Sequence, residues 1–327
     1  MKHISILVPE GAILGSIEGP RQVLTEANKY GLAQGGPALF EVQLVGLSET
    51  VRVAGGKYTV RTDAHPNDID RTDLILIPAL DGDLRQTVAA NQGFVPWIVD
   101  QHRRGAEVGS LCVGAFLLAS TGLLDGRPCA THWMAAREFR QSFPQVKLIE
   151  DRIITDEAGL YSSGGAFSYL NLILYLIEKY AGRPTAVFMA KAFQIEIDRH
   201  SQSPFIIFQG QKEHADETIR AVQQHIESNV MERHTVDELA LQFGIGRRNL
   251  ERRFKRATAN SVVEYIQRVK IEAAKLQLES SRDNINEVMY GVGYADPKAF
   301  RQTFRKITGL SPTDYRQKFN RATVVSG

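Results

Sequence analysis

Two groups of residues in this chain could do chemistry, and they lie in different halves. In the first half, Glu107-Val108-Gly109-Ser110-Leu111-Cys112-Val113-Gly114-Ala115-Phe116 reads as a strand that turns at once into a helix, with Cys112 at the corner. That is the layout of a nucleophile elbow, where a strained turn lifts the side chain above a sheet and the following helix N-terminus lowers a thiol pKa. Thr131-His132-Trp133 comes twenty residues later. A Cys and a His on neighbouring elements can act as nucleophile and base. A lone Cys is more often a small buried hydrophobe, so spacing leaves both readings open.

In the last hundred residues the candidate chemistry is recognition of DNA. Val236-Asp237-Glu238-Leu239-Ala240 followed by Phe243–Phe254 has the pattern of a short apolar helix, a Gly-containing turn and a second helix. Ile285-Asn286-Glu287-Val288-Met289 followed by Val292–Phe304 repeats it about fifty residues later. Each is a helix-turn-helix, whose second helix can enter a major groove. Leu250 and Phe254, and then Phe300 and Phe304, are four apart and point to a core. The opposite faces present Arg248, Glu251, Arg252 and Lys255 in the first copy, and Lys298, Arg301, Gln302 and Arg305 in the second. Arg and Lys suit guanine edges, Gln suits adenine, and Glu accepts from a cytosine amino group. Asp296-Pro297 reads as an N-cap followed by Pro at the first helical position.

The elements that must position these residues fall into two blocks. Up to about residue 180, short apolar runs at Ile4–Val8, Val42–Gly46, Leu74–Pro78, Glu107–Leu111, Ile153–Thr155 and Leu160–Ser162 read as strands buried on both faces. Helical stretches are expected at Pro20–Tyr30, Gln86–Arg104, Gly114–Thr121, His132–Phe143, Phe167–Tyr180 and Arg183–Arg199. Strand-helix alternation predicts a doubly wound α/β domain over residues 1–200, then a linker over 201–215. Residues 216–320 read as an all-α domain holding both helix-turn-helix units. Between the units, Ser261–Ser280 predicts a helix of about twenty residues, hence roughly 30 Å. One turn of B-DNA is about 34 Å, so such a helix could set the two recognition helices in successive groove segments.

Composition agrees. The 327 residues are 43% apolar and 23% charged, ordinary for a globular protein, and suggest two domains. Residues 1–210 carry 19 Lys+Arg against 22 Asp+Glu, whereas residues 211–327 carry 20 against 15. The basic excess thus lies with the helix-turn-helix units, as phosphate binding requires. No apolar run reaches the length of a signal peptide core or a membrane span. Cys112 and Cys129 form no CxxC pair, and the eight His residues have no ligand-type spacing. No metal, cofactor or disulfide framework is expected, and a reducing cytoplasm fits.

At this point two resemblances can be stated. Residues 217–319 resemble the AraC/XylS family of bacterial transcription regulators, on Gly293-Tyr294, Phe300, Phe304-Arg305-Lys306, Gly309, Ser311-Pro312 and Tyr315-Arg316. Departures from the family pattern are Ala259 and Val262 in place of Gly and Pro, Met289 in place of Ala, and Gly246 at an N-cap often held by Ser. Residues 1–180 resemble the class I glutamine amidotransferase-like superfamily, which is flavodoxin-like and includes intracellular proteases and deglycases. The resembling pieces are Gly19-Pro20, Ser110–Ala115, Gly122–Arg127, Thr131-His132-Trp133 and Ser162-Ser163-Gly164-Gly165. Joined, the two halves look like the GlxA-type regulators. Enzymes of the superfamily pair the elbow Cys with a His and a carboxylate near the first strand. Here Ser16 stands at the carboxylate's position, Glu18 is displaced by two, and Asn171 replaces an acidic residue.

The resemblance implies a regulator that binds a double-stranded operator through Arg248, Glu251, Arg252, Lys298, Arg301 and Gln302. It implies an α/β domain that senses a small effector without catalysis, at the C-terminal ends of the strands. Ser16, Glu18, Cys112, His132 and Trp133 are then the expected lining residues, with Cys112 and His132 vestigial. Glu18 and Trp133 could hold a cationic group, and similar regulators respond to quaternary amines or arginine. A homodimer is expected, and RNA polymerase is a partner if the protein activates. Two alternatives stay open: a bifunctional Cys-dependent hydrolase or deglycase with a DNA-binding tail, and an α/β domain that only dimerises.

Overall fold

The computed structural model describes residues 1–197 and 199–320. The chain divides into two compact units, Met1–Gln202 and Ser203–Gly327.

The first unit is built on ten strands: β1 (Lys2–Leu7), β2 (Phe40–Val45), β3 (Thr50–Val53), β4 (Tyr58–Arg61), β5 (Leu74–Ile77), β6 (Glu107–Leu111), β7 (Pro128–Cys129), β8 (Lys147–Leu148), β9 (Ile154–Glu157) and β10 (Leu160–Ser163). Six of them form one sheet in the order β2-β1-β5-β6-β10-β9. The first five are parallel, and β9 closes the edge antiparallel to β10. Counting only the parallel strands, the order is the 2-1-3-4-5 of flavodoxin-like folds. Its helices are α1 (Leu14–Ala33), α2 (Leu84–Ala90), α3 (Val95–Arg103), α4 (Ala115–Ser120), α5 (Ala136–Ser142), α6 (Tyr169–Ala181) and α7 (Arg183–Ala192).

Side chains alternate across each strand, and here both faces are covered. Ile4, Ile6, Leu74 and Leu76 pack under α1, α6 and α7, through Ile17, Leu24, Leu172, Ile173 and Met189. Leu7, Ile75, Ile77 and Val108 pack under the other helices, through Ile98, Phe116, Leu117 and Phe139. That is why these strands read as short, mostly apolar runs.

Several expected elements are corrected. The helix expected over Gln86–Arg104 is two helices. Asn91, only 1% exposed, breaks it by donating to the carbonyls of Glu10 and Thr87 and accepting from the Glu10 N–H. Helix α1 starts six residues early, with Pro20 inside it. The helix expected to reach Arg199 ends at Ala192, because Gln194 takes φ +53° and the Ile195 N–H bonds back to Ala190. Asp198, within that expected stretch, lies outside the described residues. The β3–β4 hairpin and the β7–β8 pair were not foreseen.

The second unit contains α8 (Glu217–Ser228), α9 (Val236–Gln242), α10 (Arg247–Thr258), α11 (Val262–Ser280), α12 (Ile285–Gly291), α13 (Pro297–Thr308) and α14 (Pro312–Phe319). Helices α9, α11 and α12 each begin with a reciprocal capping box, at Thr235/Glu238, Ser261/Glu264 and Asn284/Glu287. Each such cap contributes about 1 kcal/mol. Of the segment expected as a linker, Ser201 and Gln202 belong to the first unit and the stretch from Ile206 to Gln211 is bonded into the second. The Phe208 N–H donates to Glu272, Ile206 C=O accepts from Lys275, and Gln211 C=O accepts from Gln223. No helix among the described residues is long and apolar enough to cross a membrane.

Candidate DNA interface and the cysteine elbow

Helices α10 and α13 are the second helices of the two helix-turn-helix units, and their burial repeats residue by residue. Leu250, Phe254 and Thr258 are buried on one, and Phe300, Phe304 and Thr308 on the other. The repeat continues past the helix ends. Phe254 meets Tyr265 edge-on at 5.2 Å and 82°, and Phe304 meets Tyr315 at 5.5 Å and 81°. The Tyr265 hydroxyl donates to Glu227 at 2.6 Å, and that of Tyr315 to Glu279 at 2.5 Å. Burying a Phe of this kind stabilises by about 1.5–3 kcal/mol, so each unit holds its recognition helix on a core of its own.

All six expected DNA contacts are exposed: Arg248, Glu251 and Arg252 on α10, and Lys298, Arg301 and Gln302 on α13. Their surroundings differ. On α10, Arg247 is paired with Asp237 at 2.8 Å and with Glu251 at 3.5 Å, while Arg252 donates to Asn249 at 2.8 Å. Arg248 has no side-chain partner among the described residues, nor do Lys298, Arg301 and Gln302. Arg253 points inward, to a half-buried double hydrogen bond with Asp216. The α10 N-terminus has Gly246 and no side-chain cap, whereas Asp296 caps α13 through the Lys298 N–H at 2.9 Å.

One residue that sequence reasoning missed ties the units together. Lys270 on α11 is 7% exposed, and burial lowers its pKa. Its Nζ donates to Glu232 C=O at 2.9 Å and Val292 C=O at 3.0 Å. A lysine on the apolar side of a helix was the available signal.

In the first unit, Cys112 sits at the C-terminal end of β6 with φ +54°, the strained corner that an elbow requires. Gly114 permits it, since a side chain there would collide with the carbonyl oxygens of Ile77 and Pro78. Thr131 Oγ1 donates to Cys112 C=O at 3.1 Å, and the Cys112 N–H donates to Ser163 Oγ at 3.4 Å. The thiol, however, is not activated. It is 5% exposed, and burial pushes its pKa up from 9.0 to about 11, against only the N–H of Val113. The lowering expected from the helix N-terminus is confined to the Val113 N–H, and burial outweighs it.

No hydrogen bond among the described residues joins His132 to the thiol. His132 Nδ1 accepts the Met134 N–H at 3.2 Å, capping a 3-10 turn, and burial lowers its pKa. Its ring stacks on Trp133 at 5.7 Å and 29°. Ser16 is 2% exposed, donating to Ile13 C=O at 2.7 Å and accepting from the Ala79 N–H at 2.9 Å. Glu18 is exposed and held by Arg21 through two 2.6 Å hydrogen bonds. Among the described residues, no hydrogen bond links Cys112, His132, Ser16 and Glu18 to one another.

Residues 2–179 match the DJ-1/PfpI family, and residues 239–318 match a helix-turn-helix domain. The HTH-type transcriptional regulator CdhR of Pseudomonas aeruginosa is 26% identical over 95% of this chain and 90% of its own length. The regulator GbdR of Pseudomonas aeruginosa is 28% identical over 68% of this chain, and the match spans only 61% of GbdR. The regulator GlxA of Rhizobium meliloti is 23% identical over 66% of this chain and 67% of its own length. Among solved structures, an AraC family transcriptional regulator from Pseudomonas putida aligns with TM-score 0.51 and 17% identity, covering 59% of this chain and all of that one. Drosophila melanogaster DJ-1beta aligns with TM-score 0.50 and 16% identity, over 60% of this chain and 98% of its own. Both structural likenesses speak to the fold of the first unit alone.

Proposed function

We propose that this chain, which belongs to the DJ-1/PfpI family and carries an AraC-type helix-turn-helix domain, is a sequence-specific DNA-binding transcription regulator whose α/β unit senses a small effector. The observation that carries the reading is the duplicated recognition helix. Two helices with the same buried triad turn exposed Arg248 and Lys298, Arg301 and Gln302 outward. Arg301 and Lys298 are the readers of guanine edges, and Gln302 that of adenine. Glu251, Arg252 and Arg247 form a mixed-charge face that fixes register on the backbone or accepts from cytosine. The double-stranded operator, a homodimer and RNA polymerase are the partners this role calls for.

The α/β unit binds its effector without turning it over. In support, a thiol with a pKa near 11 is about 100-fold poorer in thiolate at neutral pH than an ordinary cysteine, and His132 is bonded to its own turn. The elbow, His132 and Trp133 form the rim of the site at the ends of β6 and β10. A cationic or amino-acid-like effector suits an indole face and Glu18 once Arg21 releases it.

The test is calorimetric titration of the full-length protein with amino acids, quaternary amines and small aldehydes, with chromatography following each compound. Saturable binding without consumption is expected. Consumption lost in Cys112→Ala would replace this reading with that of an enzyme. In parallel, Cys112 should be alkylated about 100-fold more slowly at pH 8 than a free cysteine, which mass spectrometry can follow.

A further inference from the structure

We propose that His225, Glu232 and His234 form a divalent transition-metal site that fastens the loop between α8 and α9 in the DNA-binding unit. One ligand-type atom from each of the three lies within 4.8 Å of the others. Zinc held by imidazole and carboxylate at about 2.0–2.2 Å keeps its ligand atoms roughly 3.3 Å apart. Closing the cluster therefore needs the ligand atoms to approach one another by up to about 1.5 Å. Two imidazoles and one carboxylate suit zinc, with cobalt as its spectroscopic substitute.

The surroundings favour a ligand role. His234 Nε2 lies 2.9 Å from the carbonyl of Asn229. Donating there, the ring leaves Nδ1 as its lone-pair atom, and a carbonyl behind a histidine is the usual support of a metal-bound imidazole. His225 is held loosely, with Nδ1 3.3 Å from the Asn229 amide and 3.4 Å from that of Gln242. The two rings already meet edge to face, with centroids 5.3 Å apart. Glu232 is exposed and makes no ion pair among the described residues.

The same loop leads to the second helix-turn-helix. The Glu232 carbonyl is bonded by the buried Lys270 Nζ, which also holds the carbonyl of Val292 in the turn of the second unit. A metal on the Glu232 side chain and Lys270 on the Glu232 carbonyl would hold the same loop residue, and through Lys270 the first helix-turn-helix against the turn of the second. His225 and His234 are nine positions apart across a helix end and a loop, which is why the spacing carried no metal signature.

The test uses full-length protein stripped with chelator and titrated with Zn²⁺ by calorimetry and Co²⁺ by visible absorption. One equivalent should bind per chain, with Co²⁺ d–d bands of a nitrogen-oxygen site, and Zn²⁺ should raise Tm. Glu232→Gln, at an exposed position, and His234→Gln should each weaken binding at least about 10-fold and remove the Tm shift. Absence of binding would overturn the site. Binding and a Tm shift that survive unchanged in Glu232→Gln and in His225→Gln would overturn it equally, by placing the metal elsewhere. If His225→Gln does not fold, Glu232→Gln decides alone.

Discussion

Each residue of α10 has a counterpart fifty positions later on α13, and the two sets diverged in a patterned way. Inward positions kept their character: Leu250 answers to Phe300, Phe254 to Phe304, and Thr258 to Thr308. Even the exits agree, with Thr258 and Thr308 each bonding back to the carbonyl four residues earlier at 2.8 and 2.9 Å. Outward positions kept theirs only in part: Arg248, Lys255 and Arg256 answer to Lys298, Arg305 and Lys306, but Glu251 to Arg301 and Arg252 to Gln302. The first helix ties Arg247 to Asp237 and Glu251 and Arg252 to Asn249, leaving Arg248 without a side-chain partner among the described residues. The second presents Lys298, Arg301 and Gln302 without such partners among the described residues. Packing constrains what faces the core, because lost volume costs several kcal/mol. The groove face is free to vary, and that is where a protein reading two DNA segments must vary.

The comparison can be broken first at the cores. Phe254→Ala and Phe304→Ala should each cost about 3–5 kcal/mol, measured by urea denaturation of the whole protein. A large loss for one and little for the other would deny that the units share a plan. Next come the groove faces. Arg301→Ala should weaken cognate DNA binding by about 1–3 kcal/mol, whereas Arg247→Ala should matter less, because Asp237 and Glu251 already neutralise that guanidinium. Anisotropy titrations at two salt concentrations separate base contact from phosphate contact. Equal losses would erase the contrast between the helices.

The smallest effects belong to the helix exits. Ala259 stands at φ +58° where the second copy has Gly309 at φ +76°. A left-handed residue costs about 1–2 kcal/mol when it carries a Cβ. Ala259→Gly should therefore stabilise by about 1 kcal/mol, and Gly309→Ala should destabilise by a similar amount. Thermal melts of the two variants suffice, and a destabilising Ala259→Gly would show that the exits are not equivalent.

Much of this was legible in the residues. The parallel strands announced themselves because both faces are buried at the centre of the sheet, where Ile4, Ile6, Leu74, Ile75, Leu76 and Ile77 form short apolar runs. The hairpin of β3 and β4 stayed hidden because only Val51 and Val53 are buried. The recognition helices could be placed from Phe254 and Phe304, whose spacing is local. What escaped depends on distant partners. The bond of Arg253 to Asp216, 37 residues away, has no local signal in the sequence. Cys112 looks like a nucleophile until the chain around it, including Thr131 and Ser163, buries it.

Helix α11 spans 19 residues, about 28 Å, close to the 34 Å of one DNA turn. The most direct test of two-segment reading is selection from random double-stranded DNA with the full-length protein. Two conserved blocks with centres about 10–10.5 base pairs apart are expected. Replacing Lys298, Arg301 and Gln302 together by alanine should erase one block and leave the other. A single block, or no enriched sequence at all, would contradict a protein that reads two successive segments of the groove.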